Sequence, residues 1–158
     1  MATKRSAGIL LYRFVAGAPQ FLLIHPGGPY WANRDLGAWT IPKGEYEEGE
    51  SPQDCALREL DEELGAAPSL DVELLIDLGA VRQKSGKVVE AWAAEGAFDP
   101  AQLRSNTFTI EWPPRSGSER EFPEADRAEW FDPESARRKI LPAQAELIDR
   151  LLEHLGGS

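Results

Sequence analysis

The chain has 158 residues, a formal net charge of −10, 42% hydrophobic residues and 28% charged residues, a composition ordinary for a globular domain of this length. The acidic balance argues against nonspecific binding to a nucleic-acid backbone, and no apolar run approaches the length of a membrane span. We therefore expect a single domain, residues 1–158, whose partner is neither a nucleic-acid polymer nor a membrane. The N-terminal segment lacks a convincing cleavage site and the single cysteine cannot form an internal disulfide, so we expect a cytoplasmic protein without a signal peptide.

Two strands separated by a turn are predicted at the start of the chain, over residues 4–14 and 20–25. Both segments are mostly apolar runs bounded by turn residues. The loop that follows, 26–37, is rich in glycine and proline and carries Tyr30 and Trp31. Aromatic rings on such a loop could stack on a nucleobase, or they could equally cover the edge of the core.

A short strand is predicted over residues 38–43, and it leads into the most acidic part of the chain. Lys43 at its end could hold a substrate phosphate, or it could balance the charge of the neighbouring carboxylates. His25 has no acid or serine at a motif spacing, so we expect a packed strand histidine. Cys55 is expected to be a small core residue rather than a nucleophile.

The best-defined element is a helix over residues 52–64. Ser51 is a good N-cap, Pro52 suits the first helical position, and Gly65 suits the position just past the end. Apolar residues recur at spacings of three and four along one side, which predicts the buried stripe. These residues are Ala56, Leu57, Leu60 and Leu64.

Strands dominate the middle of the chain. One is predicted over 70–77, and a hairpin follows with its arms at 80–83 and 87–95. Lys87 opens the second arm and could face a site or solvent. Residues 106–112 alternate between apolar and polar types and predict a further strand, while the prolines, serines and glycine after it predict a flexible loop.

Two helices are predicted at the C-terminal end. Asp132 and Pro133 begin a short helix that ends at Ile140, and residues 142–155 form an amphipathic helix. Its inward side is predicted to hold Leu147, Ile148, Leu151, Leu152 and Leu155. Periodicity alone therefore predicts a protein of mixed α and β structure.

The segment 44–66 concentrates the charge of the chain. It holds nine acidic residues and one basic residue, a local net charge of −8. Glu59, Glu62 and Glu63 are three or four positions apart on one helix face, so their Cβ atoms should lie roughly 5–6 Å apart. The repulsion among these carboxylates calls for a cation, and a hard divalent ion with a preference for oxygen ligands is the natural candidate. The alternative is a solvated acidic face, which is what many helical charge runs are.

The spacing of this segment resembles the signature of the Nudix hydrolases at each fixed position. The matching residues are Gly44, Glu50, Arg58, Glu59, Leu60, Glu62, Glu63 and Gly65. Ala66 departs from the pattern, since the family usually has a bulkier aliphatic residue there. The resemblance implies an α/β fold, an α/β/α sandwich with a central mixed sheet. It also implies hydrolysis of a phosphoanhydride bond in a nucleoside diphosphate linked to another group, with Mg²⁺, or else Mn²⁺, as cofactor.

Site residues follow from the resemblance and from carboxylate chemistry. Divalent cations offset phosphate charge and lower the pKa of water, and a carboxylate can then remove a proton. The predicted metal ligands are Glu59 and Glu63 as the best pair, Glu62, the carbonyl of Gly44, and Glu124 as a fourth carboxylate. The predicted catalytic residues are Glu59, Glu62 and Arg58, with Arg58 orienting a glutamate. Glu121 and Asp126 are rivals of Glu124, and the general base stays open among Glu59, Glu62 and Glu124.

The substrate is less well specified. The run Trp39-Thr40-Ile41-Pro42-Lys43-Gly44 looks like the lead-in of dinucleoside tetraphosphate hydrolases, but a tyrosine common after the signature in that subfamily is replaced by Arg82-Gln83-Lys84. The predicted substrate-binding residues are Lys43, Trp39, Tyr30, Trp31 and Lys87. We expect a dinucleoside polyphosphate or a nucleoside triphosphate as substrate.

Two other functions and two structural features stay open. The alternatives are hydrolysis of a non-nucleotide diphosphate, such as an inositol pyrophosphate or a sugar-linked species, and a non-catalytic nucleotide-binding module. The segment 99–121 is longer than the minimal Nudix core needs and is a candidate lid or dimer contact. A homodimer is therefore possible.

Overall fold

A mixed sheet of six strands forms the centre of the protein. The computed structural model describes residues 4–156. The strands in chain order are β1 (Arg5–Val15), β2 (Ala18–Pro26), β3 (Lys43–Glu45), β4 (Ile76–Arg82), β5 (Val88–Glu95), β6 (Thr107–Glu111), β7 (Glu119–Pro123) and β8 (Ala125–Phe131). The helices are α1 (Pro52–Leu64), α2 (Pro133–Lys139) and α3 (Ala145–His154).

The strand order of the central sheet is β4-β5-β1-β2-β8, with β3 paired to β1. β1 and β5 run parallel, whereas the other neighbours are antiparallel. Helix α1 packs on one face in a cluster with Ile9, Leu11 and Leu22, and α2 and α3 pack on the other face against Leu10 and Leu23. Alternate residues of β1 thus feed opposite cores, as the two-residue period of a strand requires. The predicted α/β/α sandwich is confirmed.

Helix α1 has the predicted bounds. Ser51 accepts a hydrogen bond from the backbone N–H of Asp54, and Gly65 ends the helix with a left-handed φ of 79°. Its buried residues include Leu60 and Leu64, as predicted. The bounds of α1 could be predicted from the sequence because both capping residues lie directly beside the helix that they terminate.

The strand predicted over 70–77 is wrong in its first part. A 3-10 turn over Val72–Leu74 replaces it, and β4 begins only at Ile76. The side chain of Asp71 accepts from the N–H of Glu73 and stabilises the turn. Leu74 is 73% exposed, so the apolar alternation of this segment does not reflect burial.

The strand predicted over 38–43 is reduced to single bridges. Thr40 pairs with Ile24, and Trp39 pairs with Ile140. Pro42 has no N–H and interrupts the ladder, so the strand that pairs with β1 begins at Lys43.

The segment after β5 contains a second, two-stranded sheet. β6 and β7 form an antiparallel pair, from Thr107 opposite Pro123 to Glu111 opposite Glu119. The flexible loop predicted up to residue 121 is therefore wrong for its last residues. The hairpin lies against the loop after β2, where a Cβ on Gly27 would overlap the carbonyl of Pro123. Its roles as a lid or a dimer contact stay predictions.

The C-terminal helices differ from the prediction only in their first turn. Asp132 caps α2 by accepting from the N–H of Ser135 at 2.7 Å. A 3-10 turn over Pro142–Gln144 precedes α3. The predicted inward side of α3 is buried at four positions, and Leu155 packs partly buried against the same core. Among residues 4–156, no helix is both long enough and apolar enough to cross a bilayer.

Candidate active site

The acidic face of α1 lines a cavity of about 300 Å³. Because the opposite face of the helix is held in the core by Cys55, Leu60 and Leu64, the glutamates between these positions are directed away from the core. The cavity brings together residues from α1, β3 and the ends of β6 and β8. Its lining consists of Lys43, Gly44, Glu45, Glu59, Glu62, Glu63, Asn106 and Glu124.

We call this cavity the acidic cavity, and two carboxylates from outside the helix line it, Glu45 of β3 and the predicted Glu124. Its two rivals lie elsewhere. Glu121 belongs to β7 and does not line the acidic cavity. An oxygen of Asp126 lies 2.8 Å from Nδ1 of the buried His25, to which its carboxyl group is hydrogen-bonded. Nε2 of His25 donates to the carbonyl of Arg34, so this histidine is a packed residue, as predicted.

Backbone hydrogen bonds fix the position of Glu124. Its N–H donates to the carbonyl of Asn106 at 2.8 Å, and its own carbonyl accepts from Gly27. The N–H of Asn106 donates to the carbonyl of Glu62 in the last turn of α1. Asn106 thus connects α1 to Glu124. The sequence carries no signal for this role, because the contacts are made by backbone atoms of distant segments.

Gly44 allows β3 to approach the helix. A Cβ at this position would overlap the carboxylate of Glu59, so glycine leaves room for that carboxylate beside β3. The carbonyl of Gly44 accepts from Sγ of Cys55 at 3.4 Å. Burial raises the pKa of the Cys55 thiol to about 11, which keeps the thiol protonated near neutral pH and agrees with a core residue rather than a nucleophile.

Arg58 organises the glutamates around it. Its guanidinium donates two hydrogen bonds to Glu50, at 2.7 and 2.9 Å. Nη1 donates to Oε1 of Glu59 and to Oε2 of Glu62, both at 2.9 Å. The hydrogen bonds from Arg58 lower the pKa of Glu50 to about 2. This geometry is one in which Arg58 can orient glutamates without touching substrate, and that role stays a prediction.

Glu63 is the most perturbed carboxyl of the acidic cavity. Burial, followed by the charges of Glu59 and Glu124, raises its pKa to about 8. Its Oε2 is buried and has no hydrogen-bond partner among the residues that the structure describes. Burial likewise raises the pKa of Glu59 and lowers the pKa of Lys43. The cavity therefore holds more carboxylate charge than its own cations compensate.

The acidic cavity offers carboxylate oxygens to a divalent cation. Within residues 4–156, no three His, Cys, Asp or Glu side chains converge as a ready metal-binding group. The hydrogen bonds of Arg58 hold one oxygen each of Glu59 and Glu62. The unpartnered oxygen of Glu63, the second oxygen of Glu59 and the neighbouring Glu124 are all hard oxygen donors. The set fits Mg²⁺ or Mn²⁺ by ligand chemistry.

The aromatic residues predicted to bind substrate divide into three cases. Trp39 has no exposed surface, packs in the core and donates from Nε1 to Asp35 at 2.8 Å, so the prediction that it contacts substrate is wrong. Tyr30 is 63% exposed and contacts the ring of Trp112 edge-on. Trp31 lines a second cavity that adjoins the acidic one.

That second cavity has a volume of about 270 Å³. It shares three residues with the acidic cavity: Lys43, Glu63 and Glu124. Its remaining lining is mostly apolar, with two polar side chains: Ile24, Pro26, Trp31, Thr40, Ile41, Gln83 and Leu141. We call it the apolar cavity. Sequence reasoning missed it because its residues come from segments that are far apart in the chain.

Two further features lie outside both cavities. Lys87 is at 3.5 Å from Glu45 and does not line the acidic cavity, so its predicted contact with substrate stays a prediction.

A more voluminous cavity, about 500 Å³, lies between the 3-10 turn over Pro100–Gln102 and β8. We place the chemistry in the acidic cavity, because the glutamates of α1 are absent from the lining of the larger one.

Comparison with solved structures shows the fold. The chain is similar to a C. elegans Ap4A hydrolase in a binary complex, with a TM-score of 0.67 and 23% identity over 99% of this chain and 100% of that chain. It is also similar to the NUDIX domain of Shewanella oneidensis NrtR complexed with ADP ribose, with a TM-score of 0.67 and 18% identity over 98% of this chain and 90% of that chain.

Comparison of sequences shows the family. An RNA pyrophosphohydrolase of Erythrobacter litoralis is 45% identical over 38 residues, which are 24% of this chain and 23% of that protein. The matched part thus spans about a quarter of the curated relatives' length. A family model described as the NUDIX domain matches residues 2–151. Because that match covers nearly the whole chain and the signature glutamates line one cavity, the chain belongs to the Nudix family.

Proposed function

We propose that the chain is a metal-dependent pyrophosphohydrolase that cleaves a phosphoanhydride bond in a nucleoside diphosphate linked to another group. The observation that carries the proposal is the acidic cavity, in which Glu124 joins Glu59, Glu62 and Glu63. The unpartnered, buried Oε2 of Glu63 supports a cation at this position, because a buried carboxylate oxygen without a partner is costly.

The residues of the acidic cavity have three roles: binding the metal, accepting a proton and positioning the glutamates. Glu59 and Glu63 hold Mg²⁺ or Mn²⁺, with Glu62, Glu124 and the Gly44 carbonyl as further ligands. When bound, the cation offsets the charge of the phosphate oxygens and makes water more acidic. A carboxylate that is not engaged by the cation accepts the proton of the attacking water. Arg58 positions Glu59 and Glu62 through hydrogen bonds of 2.9 Å.

Lys43 stands where the two cavities meet. An ammonium group there can contact a phosphate oxygen of a substrate whose diphosphate lies in the acidic cavity. Its pKa is lowered chiefly by burial, and the charge of a bound diphosphate would counteract that effect.

The apolar cavity supports a nucleoside as the group attached to the diphosphate. Trp31 and the aliphatic side chains beside it offer stacking and apolar contact, which an inositol pyrophosphate would not use. By their names, two of the similar proteins are an Ap4A hydrolase and an RNA pyrophosphohydrolase. A dinucleoside polyphosphate or a nucleoside triphosphate is therefore the proposed substrate.

The test is a substrate panel with Mg²⁺ and with Mn²⁺ on the wild type, Glu63→Gln and Glu48→Gln. The panel holds diadenosine polyphosphates, nucleoside triphosphates, ADP-ribose and an inositol pyrophosphate. We expect hydrolysis of a nucleotide and a loss of at least about 100-fold for Glu63→Gln, the upper end of the losses seen when support of a metal site is removed. Glu48 is exposed and outside the cavity, so the matched control should retain activity.

Two outcomes would contradict the proposal. If the wild type cleaves only the inositol pyrophosphate, the nucleoside assignment is wrong. If it cleaves nothing while a nucleotide raises its melting temperature, the chain is a binding module rather than an enzyme.

A further inference from the structure

A buried glutamine lies beneath the apolar cavity. Gln144 has no exposed surface and lies in the 3-10 turn before α3. Its Oε1 accepts a hydrogen bond from the backbone N–H of Ile41 at 3.1 Å. Since a backbone N–H can only donate, this contact fixes which end of the amide is the oxygen. The NH₂ group of Gln144 must therefore face the other way.

The amide of Gln144 in turn fixes the orientation of the side-chain amide of Gln83. Nε2 of Gln144 donates to Oγ1 of Thr40 at 3.0 Å and to Oε1 of Gln83 at 3.2 Å. Gln83 is half-buried and lines the apolar cavity. Its oxygen is engaged by Gln144, so the end that it offers to a ligand is the NH₂ donor. That NH₂ group has no protein acceptor within residues 4–156.

Thr40, Lys43 and two carboxylates supply the other polar groups of this lining. The hydroxyl of Thr40 lies 2.9 Å from the carbonyl of Ile41 and 3.2 Å from Oε1 of Gln144, either of which can accept its proton, and Lys43 is a donor without acceptor capacity. The two carboxylates of the lining, Glu63 and Glu124, belong to the acidic cavity as well. A ligand group that reaches the NH₂ group of Gln83 therefore meets a donor and is matched by an acceptor.

The placement of Gln83 indicates which ligand atom it meets. Gln83 lies between the apolar cavity and a separate pocket beside Leu141 and Pro142, and it does not line the acidic cavity. A nucleotide whose phosphates lie in the acidic cavity presents to the far side the base edge remote from its sugar. In nucleobases that edge carries the exocyclic group, an oxygen in 6-oxopurines and 4-oxopyrimidines and an amino group in adenine and cytosine.

We infer that the apolar cavity selects nucleotides with an oxo group on the base over their amino counterparts, with Gln83 as the specificity-determining residue and Gln144 as the residue that positions it. The inference rests on the proposed function and narrows its substrate class. An amino group at this place would leave two donors facing each other, and a buried donor without an acceptor is penalised.

The experiment uses substrate pairs that differ at the oxo or amino position: ITP against ATP, and UTP against CTP, with the diinosine and diadenosine tetraphosphates as a third pair. The measured quantity is the ratio of kcat/KM within a pair. We expect the wild type to favour the oxo member by about tenfold, the effect of one hydrogen bond gained or lost. A general loss of activity in a variant lowers kcat/KM for both members of a pair and therefore leaves their ratio unchanged.

Three variants locate the effect. Gln83→Glu replaces the NH₂ donor by an acceptor of the same shape and should lower the oxo-to-amino ratio to one or below. Gln102→Glu, an exposed glutamine outside both cavities, is the matched control and should retain the wild-type ratio. Gln144→Leu releases the amide of Gln83 and should bring the ratio close to one while hydrolysis persists. Its melting temperature is recorded beside that of the wild type, because Ile41 and Thr40 lose a partner.

The outcomes separate the inference from the proposed function. Hydrolysis of both members of each pair at equal efficiency, or a preference for the amino member, overturns the inference and leaves the function standing. Hydrolysis of no nucleotide overturns both. An oxo preference that Gln83→Glu does not change means that another residue reads the base, and the assignment to Gln83 and Gln144 is then wrong.

Discussion

Arg58 offsets much of the repulsion among the carboxylates of the acidic segment 44–66. It is the one basic residue among 44–66, and it forms ion pairs with Glu47, Glu50, Glu59 and Glu62 at 2.7 to 3.1 Å. Its pKa is raised above the ordinary arginine value by these hydrogen bonds. A planar guanidinium presents five N–H donors in a rigid fork, which lets it hold several carboxylates in fixed directions. Glu63 is left outside this arrangement, and it is the carboxyl whose pKa rises furthest.

Gly44 gives the residue-scale prediction. In Gly44→Ala the new Cβ would overlap the carboxylate of Glu59, so Glu59 has to move away from its place beside Arg58. We expect kcat/KM to fall by on the order of 10- to 100-fold, because small displacements of reacting groups carry such costs. Gly96→Ala is the control, since its Cβ would meet neighbours only at ordinary contact distances of 3.4–3.5 Å. Equal activity in both variants would contradict the role given to Gly44.

Elements were predictable to the extent that their signals are local. Helix α1 carries its caps and its apolar stripe within its own residues, and its predicted bounds agree with the structure. The β6–β7 hairpin was half missed, because pairing of Glu119–Pro123 with β6 depends on a partner strand and not on the composition of β7. The turn over Val72–Leu74 was missed for a similar reason: its apolar side chains face solvent, which no pattern within the segment reveals.

The N-cap of α1 gives the element-scale prediction. Ser51 accepts from the N–H of Asp54 at 3.2 Å, at the end of the helix opposite Glu62 and Glu63. Ser51→Ala should lower the free energy of unfolding by about 1 kcal/mol, and kcat/KM should stay near the wild-type value. Denaturant unfolding and steady-state kinetics measure the two quantities. Ser69→Ala, at an exposed position outside the helices and strands, should leave both unchanged, and a large loss of activity in Ser51→Ala would show that the cap also shapes the site.

At the scale of the whole molecule, the fold places the acidic cavity next to the apolar cavity. The glutamates of the acidic cavity are concentrated in one segment of the sequence, whereas no single segment indicates the apolar cavity. Three of the glutamates lie on one helix, so their meeting was predictable from spacing alone. The apolar cavity unites β2, the loop after it, the end of β4 and the turn before α3. Trp39 shows the same limit, because an aromatic residue beside the signature was predicted to contact substrate and lies fully buried. Tertiary packing decides these cases.

The stability of the whole molecule should depend on pH through Glu63. Its folded-state pKa of about 8 lies above the ordinary value of 4.5. Between these two pH values the folded protein keeps a proton that the unfolded chain releases, so rising pH favours unfolding. Without divalent metal, the melting temperature of the wild type should fall from pH 5 to pH 8 relative to that of Glu63→Gln. Glu50 has the opposite sign but acts between pH 2 and 4.5, outside this window.

Metal should remove the effect, because a cation beside Glu63 favours its ionised form and binds only the folded protein. With saturating Mg²⁺ the difference between wild type and Glu63→Gln should therefore change sign toward pH 8, with the wild type the more stable. Thermal unfolding across pH 5–8, with chelator and with Mg²⁺, measures both effects, and Glu48→Gln should follow the wild type throughout. If wild type and Glu63→Gln keep a constant difference at all pH values, Glu63 does not hold the proton that its burial requires.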